Sequence, residues 1–163
     1  MTDLLELSAD RPELVVRDAE VLIEEGTTRD RIYVLVSGEV VIEHDGVPFA
    51  RVDTVGAVFG EMSAVLGRPA TATVRASGDA TLRVIDDPLE FLTDQPGAAL
   101  SVLRTTASRL DGMTQYLVDV KRQFAGNEDH MAMIDRILDT LVHHQAPRPR
   151  TGSSRDPEGH DGH

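Results

Sequence analysis

The stretch Phe59-Gly60-Glu61-Met62-Ser63-Ala64-Val65-Leu66-Gly67-Arg68-Pro69-Ala70-Thr71-Ala72-Thr73-Val74 interrupts a sequence otherwise built from short β-branched runs. Glu61 to Leu66 is one turn and a half of helix formers, closed by Gly67 and Pro69, so a short helix is predicted to begin after Gly60. The first amides of such a helix have no intrahelical carbonyl to donate to, and its dipole favours negative charge there. An anion such as a phosphate could therefore sit against the backbone of Met62, Ser63 and Ala64, with Gly60 allowing a close approach.

Outward from this stretch the pattern is β. Leu14-Val15-Val16-Arg17 and Glu20-Val21-Leu22-Ile23-Glu24 read as strands, and Gly26 marks a turn. Arg31-Ile32-Tyr33-Val34-Leu35-Val36-Ser37 is almost continuously apolar, as expected of a strand buried on both faces, and Ser37-Gly38 is read as a turn into Glu39-Val40-Val41-Ile42-Glu43-His44. Asp45-Gly46 is a hairpin signal, and Pro48 assigns the returning strand to an edge or a bulge. After Val74, Ala80 to Ile85 forms a closing strand. Asp87-Pro88 then starts a short helix to Thr93, and a long one runs from Pro96 to about Phe124 with Leu100, Leu103, Ala107, Leu110 and Leu117 at a/d-like spacing. A further helix is predicted from Glu128 to about His144, carrying Met131, Ile134, Ile137, Leu138, Leu141 and Val142 on one side.

These elements resemble the cyclic nucleotide-binding domain of catabolite-activator-type regulators, cAMP-dependent kinase regulatory subunits and nucleotide-gated channels, over about residues 15 to 125. The cassette Phe59 to Val74, the run Ile32 to Val40 and the strands Thr73 to Ala76 and Val84 to Asp86 carry the likeness. The resemblance implies an antiparallel β-roll (a jelly-roll-like double-stranded β-helix), eight-stranded, with a short inserted helix, followed by two or three α-helices. It divides the chain into a lead-in at 1–13, a nucleotide-binding-like domain at 14–125 (roll 14–86, helices 87–125), a helix at 126–145 and a tail at 146–163, whose Pro, Ser, Gly, Arg and Asp content predicts disorder.

For function the resemblance implies cAMP or cGMP as ligand, held by Gly60, Glu61, Met62, Ser63, Arg68, Ala70, Thr71 and Thr73. Glu61 is at the position that accepts a ribose hydroxyl, and Thr73 at the base-contacting position. The family's phosphate-gripping arginine falls on Ala70 when the cassette is laid on without a gap. A register shortened by two residues puts Arg68 there instead. The gap-free register brings Thr73 to Ala76 into line, and it is preferred. Losing an arginine-phosphate bond costs about 1.5 to 3 kcal/mol, ten- to a hundredfold in affinity. The alternative function is therefore a degenerate domain that no longer binds nucleotide and acts in protein interaction or dimerisation.

Bulk properties narrow the partners. A formal charge of −12 repels nucleic-acid backbones, and no helix-turn-helix is read after the long helix, so direct nucleic-acid binding is not expected. Only 4% of residues are aromatic against 40% apolar, which calls for a core of Val, Leu, Ile and Ala. There is no cysteine, hence no disulfide and no thiolate chemistry. The acidic N-terminus and the lack of an apolar run of about 18 residues predict a cytoplasmic protein without a membrane span. Of six histidines only His44 lies among the strands, so no metal is expected, and no nucleophile-base set points to an enzyme. The leucine stripe from Leu100 to Leu117 predicts a homodimer, with a further protein partner as an option.

Overall fold

The computed structural model describes residues 3–126 and 128–143. The order is α1 (Leu4–Leu7), β1 (Glu13–Val16), β2 (Val21–Ile23), β3 (Ile32–His44), β4 (Val47–Val52), β5 (Val58–Phe59), α2 (Glu61–Leu66), β6 (Thr73–Ile85), α3 (Pro88–Asp94), α4 (Pro96–Gln123) and α5 (Glu128–His143). It is an antiparallel roll with the inserted helix and the following helices, as expected. The strand number differs. The two runs expected either side of Ser37-Gly38 form a single 13-residue strand, and Thr73–Ile85 is a second one, so the described residues hold six strands rather than eight.

The reason lies at Gly38, whose φ of +91° bends β3 without ending it. Strand pairing slips on both sides of this point, with Leu35 opposite Leu82, Ser37 opposite Thr81 and Glu39 opposite Ser77. Such a bulge keeps the ladder while re-aiming the side chains. Before it the odd residues Tyr33 and Leu35 face the roll interior; after it the even residue Val40 does. A Cβ on Gly38 would stand 2.5 Å from the Asp79 carbonyl oxygen and 2.7 Å from the Ala80 Cα, so the crossing of the two long strands requires glycine.

The alternate face of β3 builds a second core. Ile32 and Val34 join Leu4, Val58, Ala64, Ile85, Phe91, Ala98 and Val102, so α1, α2, α3 and the start of α4 cover one side of the roll. Thus Ile32 to Leu35 is buried on both faces, which is why its sequence is continuously apolar. Asp45 and Gly46 both take positive φ, as a two-residue hairpin requires. Pro48 lies on the edge strand β4, beside a register shift.

The hairpin tip is latched to its neighbours. His44 Nδ1 lies 3.0 Å from the Thr71 carbonyl oxygen and 2.8 Å from Glu25 Oε1, both acceptors, so this nitrogen carries the proton. Glu25 Oε2 accepts from the Asp45 amide at 3.0 Å. Asp45 Oδ2 stands 3.6 Å from His44 Nε2. The Thr71 carbonyl first, then the Glu25 and Asp45 carboxylates, hold the imidazole pKa above its ordinary 6.5.

The described residues divide into two compact units within α4, at Ser108 and Arg109. In the second unit α5 buries Ile134 and pairs Asp135 with Lys121. The tail 146–163 lies outside the described residues.

Two outcomes follow from these features. Gly38→Ala should destabilise the fold by about 2 to 4 kcal/mol, because strain at positive φ adds to a backbone clash. Gly78→Ala, at φ +74° with open space around it, should cost about 1 kcal/mol; equal costs in urea unfolding would refute the close-packed crossing. For His44, a raised native pKa means stability that is complete below the unfolded-state value and lost as pH rises through the native one. An NMR titration should place its midpoint above about 6.5, and Glu25→Gln should lower that midpoint.

Candidate functional site

Gly60 caps α2 with φ +85°, and a Cβ there would meet the Arg31 carbonyl oxygen at 2.5 Å. The missing side chain therefore serves the docking of the cassette on the first residues of β3. Ala64 N–H donates to the Gly60 carbonyl at 3.1 Å, so of the three amides expected to receive an anion, that of Ala64 is already used. Met62 and Ser63 precede the first intrahelical bond and have no i−4 partner within α2.

The side chains of the helix divide sharply. Glu61 and Ala64 are buried, the former only 4% exposed, while Met62, Val65 and Leu66 face outward. Gly67 ends the helix in the left-handed region, Arg68 N–H returns to the Ser63 carbonyl at 3.2 Å, and Ser63 Oγ donates to the Arg68 carbonyl at 2.5 Å. The serine hydroxyl is thus spent on shaping the turn. Arg68 is exposed and is not among the residues around the cavity described next.

That cavity brings Gly60, Ser63 and Ala70 together with Thr27, Arg29 and Arg31. Its inner wall is Leu22, Ile23 and Tyr33, of which Leu22 and Tyr33 belong to the roll core. The enclosed space is about 10 Å³, opening to a cleft of about 240 Å³ when space continuous with solvent is included. The enclosed part suits one water molecule. What narrows it is a backbone clip: Gly26 N–H donates to the Ala70 carbonyl at 2.8 Å, and Ala70 N–H to the Thr27 carbonyl at 2.9 Å. Two bonds of this kind are worth roughly 1 to 3 kcal/mol net, so the clip can open at modest cost.

Thr71 and Thr73 flank the clip. Thr71 is exposed and its carbonyl receives the His44 ring, while Thr73 Oγ1 accepts from the Glu25 amide at 3.0 Å. Of the residues singled out in the sequence, Gly60, Ser63 and Ala70 meet at one cavity; Glu61 is buried in the helix beside it, Met62 and Arg68 point away, and the two threonines line the segment that leaves it.

The sequence reading missed Arg29 and Arg31, which it treated as turn and strand-edge residues. Strand alternation held the signal for Arg31. It immediately precedes β3, two residues before the inward-facing Tyr33, so alternation directs it toward the same side as Tyr33. The cluster Glu25, His44 and Asp45, whose ligand-type atoms lie within 4.8 Å of one another, also escaped notice, because its members come from two turns 20 residues apart. Among the described residues no helix is long and apolar enough to cross a membrane.

Comparison with known proteins now adds to the geometry. Over 75 residues the chain is 41% identical to an uncharacterized ABC transporter ATP-binding protein of Mycobacterium tuberculosis (strain CDC 1551 / Oshkosh), a match covering 43% of this chain and 23% of that protein. The chain thus spans less than a quarter of that relative's length. Among solved structures, the N-terminal domain of a transcriptional regulator from Streptomyces coelicolor A3(2) superposes with a TM-score of 0.51 at 28% identity, covering 68% of this chain and 81% of that one. A PKAR CBD2 domain bound to Sp-2Cl-cAMPS gives 0.55 at 22% identity, covering 68% and 74%. The regulatory domain of Toxoplasma gondii PKA with cAMP gives 0.53 at 19%, covering 65% and 42%. At those last two identities the likeness establishes the fold. Residues 13–89, a little under half of the chain, match the family model described as the cyclic nucleotide-binding domain, and the strands β1 to β6 and the inserted helix at Glu61–Leu66 lie within that match.

Proposed function

We propose that this chain is a regulatory module that binds a cyclic nucleotide, cAMP or cGMP, at the cassette and passes occupancy to the helices that follow Asp87. The observation that carries this reading is the convergence of Gly60, Ser63 and Ala70 on one cavity whose wall is the interior of the roll. The cyclic phosphate would meet the amides of Met62 and Ser63, and Glu61 and Thr73 would take the ribose and base positions that the family assigns to them. Arg68, Ala70 and Thr71 complete the proposed contact set, with Arg68 reaching the ligand only if the turn it helps to close rearranges.

A nucleotide needs several hundred Å³, far above the enclosed 10 Å³. Binding therefore selects a state in which the Ala70 clip has opened, and affinity is reduced by the fraction of molecules in that state. Opening at about 2 kcal/mol would weaken binding roughly thirtyfold. Signal follows only if the ligand prefers one arrangement of the helices over the other.

A second reading, an interaction module without nucleotide, is favoured by the methyl group at residue 70 and by the narrowness of the cavity. A homodimer through the helix around Leu100–Leu117 is compatible with either reading. In α4 Ala98 and Val102 face the core, whereas Leu100, Leu103, Leu110 and Met113 are exposed. A second copy of the chain is the partner proposed for those side chains.

Calorimetric titration with cAMP and with cGMP separates the readings. Saturable binding at micromolar to sub-millimolar ligand is expected for the sensor, and no heat at millimolar ligand would refute it. Ala70→Arg should tighten binding about ten- to a hundredfold by restoring a charge-assisted bond to the phosphate. An unchanged affinity would mean that residue 70 does not face the ligand's anion.

A further inference from the structure

On the footing of the nucleotide site just proposed, we infer that its anion is gripped by Arg29 and Arg31, and that Arg31 is also the link by which occupancy reaches α3. Residue 70 offers only a methyl group, in a chain whose formal charge is −12. An anionic ligand needs local positive charge to enter such a field. Arg29 and Arg31 are the cationic residues around the cassette cavity, and both come from the segment that leads into β3. Among the described residues Arg29 forms no ion pair, so its guanidinium can turn to an anion without giving up a carboxylate.

Arg31 is committed elsewhere. Its Nε stands 2.6 Å from Asp86 Oδ1, with both side chains about half exposed. Ile32 pairs with Ile85, so Arg31 and Asp86 face each other one step beyond the ladder, where β6 ends. Asp86 is followed by Asp87, the N-cap of α3, and then by Pro88 and Phe91, both buried against the helix-side core. Arg11 holds the same junction, with Nη1 3.0 Å from Asp87 Oδ1 and its guanidinium carbon 4.8 Å from the centre of the Phe91 ring.

One residue thus borders the cavity, while its guanidinium ties down the residue from which the helices depart. A phosphate and the Asp86 carboxylate compete for it, since each prefers the same planar donor face. Ligand occupancy loosens the Arg31–Asp86 tie and leaves Arg11 to hold α3 alone. By reciprocity, weakening that tie must strengthen ligand binding.

The test uses the full chain and cAMP as the probe, with calorimetry for affinity and hydrogen exchange of the residue 88–95 amides for the junction. Arg29→Gln and Arg31→Gln should each weaken binding about tenfold or more, as expected on losing a charge-assisted bond, and Arg31→Lys should restore part of the loss. Asp86→Asn should tighten binding severalfold, and the faster exchange that cAMP induces in α3 should already be present in this variant without ligand. If the wild type binds but both glutamine variants bind within twofold of it, the arginine grip is wrong while the nucleotide site stands. If Asp86→Asn binds no tighter, or cAMP leaves α3 exchange unchanged, the link is wrong. If the wild type itself does not bind, the nucleotide reading fails and takes this one with it. Arg29→Gln changes an exposed loop residue outside every core cluster, so its result can be read even if an Arg31 variant unfolds.

Discussion

Everything in the first unit depends on the antiparallel pairing of β3 with β6. Each other strand joins one of these two: β4 and β5 pair with β3, β1 and β2 with β6. Because successive side chains of each long strand point to opposite faces, each contributes to the interior core and to the helix-side core, and a single ladder carries two packing layers. The cost of the bend is concentrated at Gly38, where backbone approaches backbone too closely for any side chain. The cassette inherits its position from the same ladder, since Gly60 rests on the Arg31 carbonyl where β3 begins and Ala64 reaches Val34 and Ile85 through the helix-side core.

That dependence explains which parts of the fold could be read from the sequence. The helix at Glu61–Leu66, the Asp45-Gly46 hairpin, the edge position of Pro48 and the Pro88 helix start were legible because each is fixed by local chemistry: propensity, a two-residue turn, a missing N–H, an N-terminal proline. The strand count was not. Ser37-Gly38 looks like a turn, and whether a glycine turns the chain or only bends it is decided by the strand lying opposite, which no local window contains. The same limit governs the site. Gly60, Glu61 and Ala70 could be singled out by their place in a contiguous cassette, whereas Arg29 and Arg31 meet it only through the fold, and the tie from Glu25 to His44 and Thr71 joins three separate segments.

Two closures act on the cassette from different sides. The Ala70 backbone is bound to Gly26 and Thr27, and one residue later the Thr71 carbonyl receives the His44 ring that Glu25 also holds. Glu25 and Gly26 are adjacent, so the turn after β2 acts as a common strap over the segment leaving the cassette. Exposed ion pairs contribute little individually. The strap's hold therefore rests mainly on the two backbone bonds, with the histidine adding a contribution that fades toward higher pH.

A ligand that opened this strap would release main-chain donors and acceptors at Gly26, Thr27 and Ala70, and these would have to find water or the ligand itself. Residue 70 is an alanine, so no charge comes from that position, and the free energy for opening must come from other contacts. Arg29 and Arg31 belong to the segment between the strap and β3, not to the cassette. An anion drawn to them pulls on the lead-in to β3 and, through Arg31, on Asp86, where an arginine at residue 70 would pull on the cassette. Under the proposed grip the charge sits on the segment that leads into β3, and the Arg31–Asp86 pair connects that segment to the end of β6, where α3 begins.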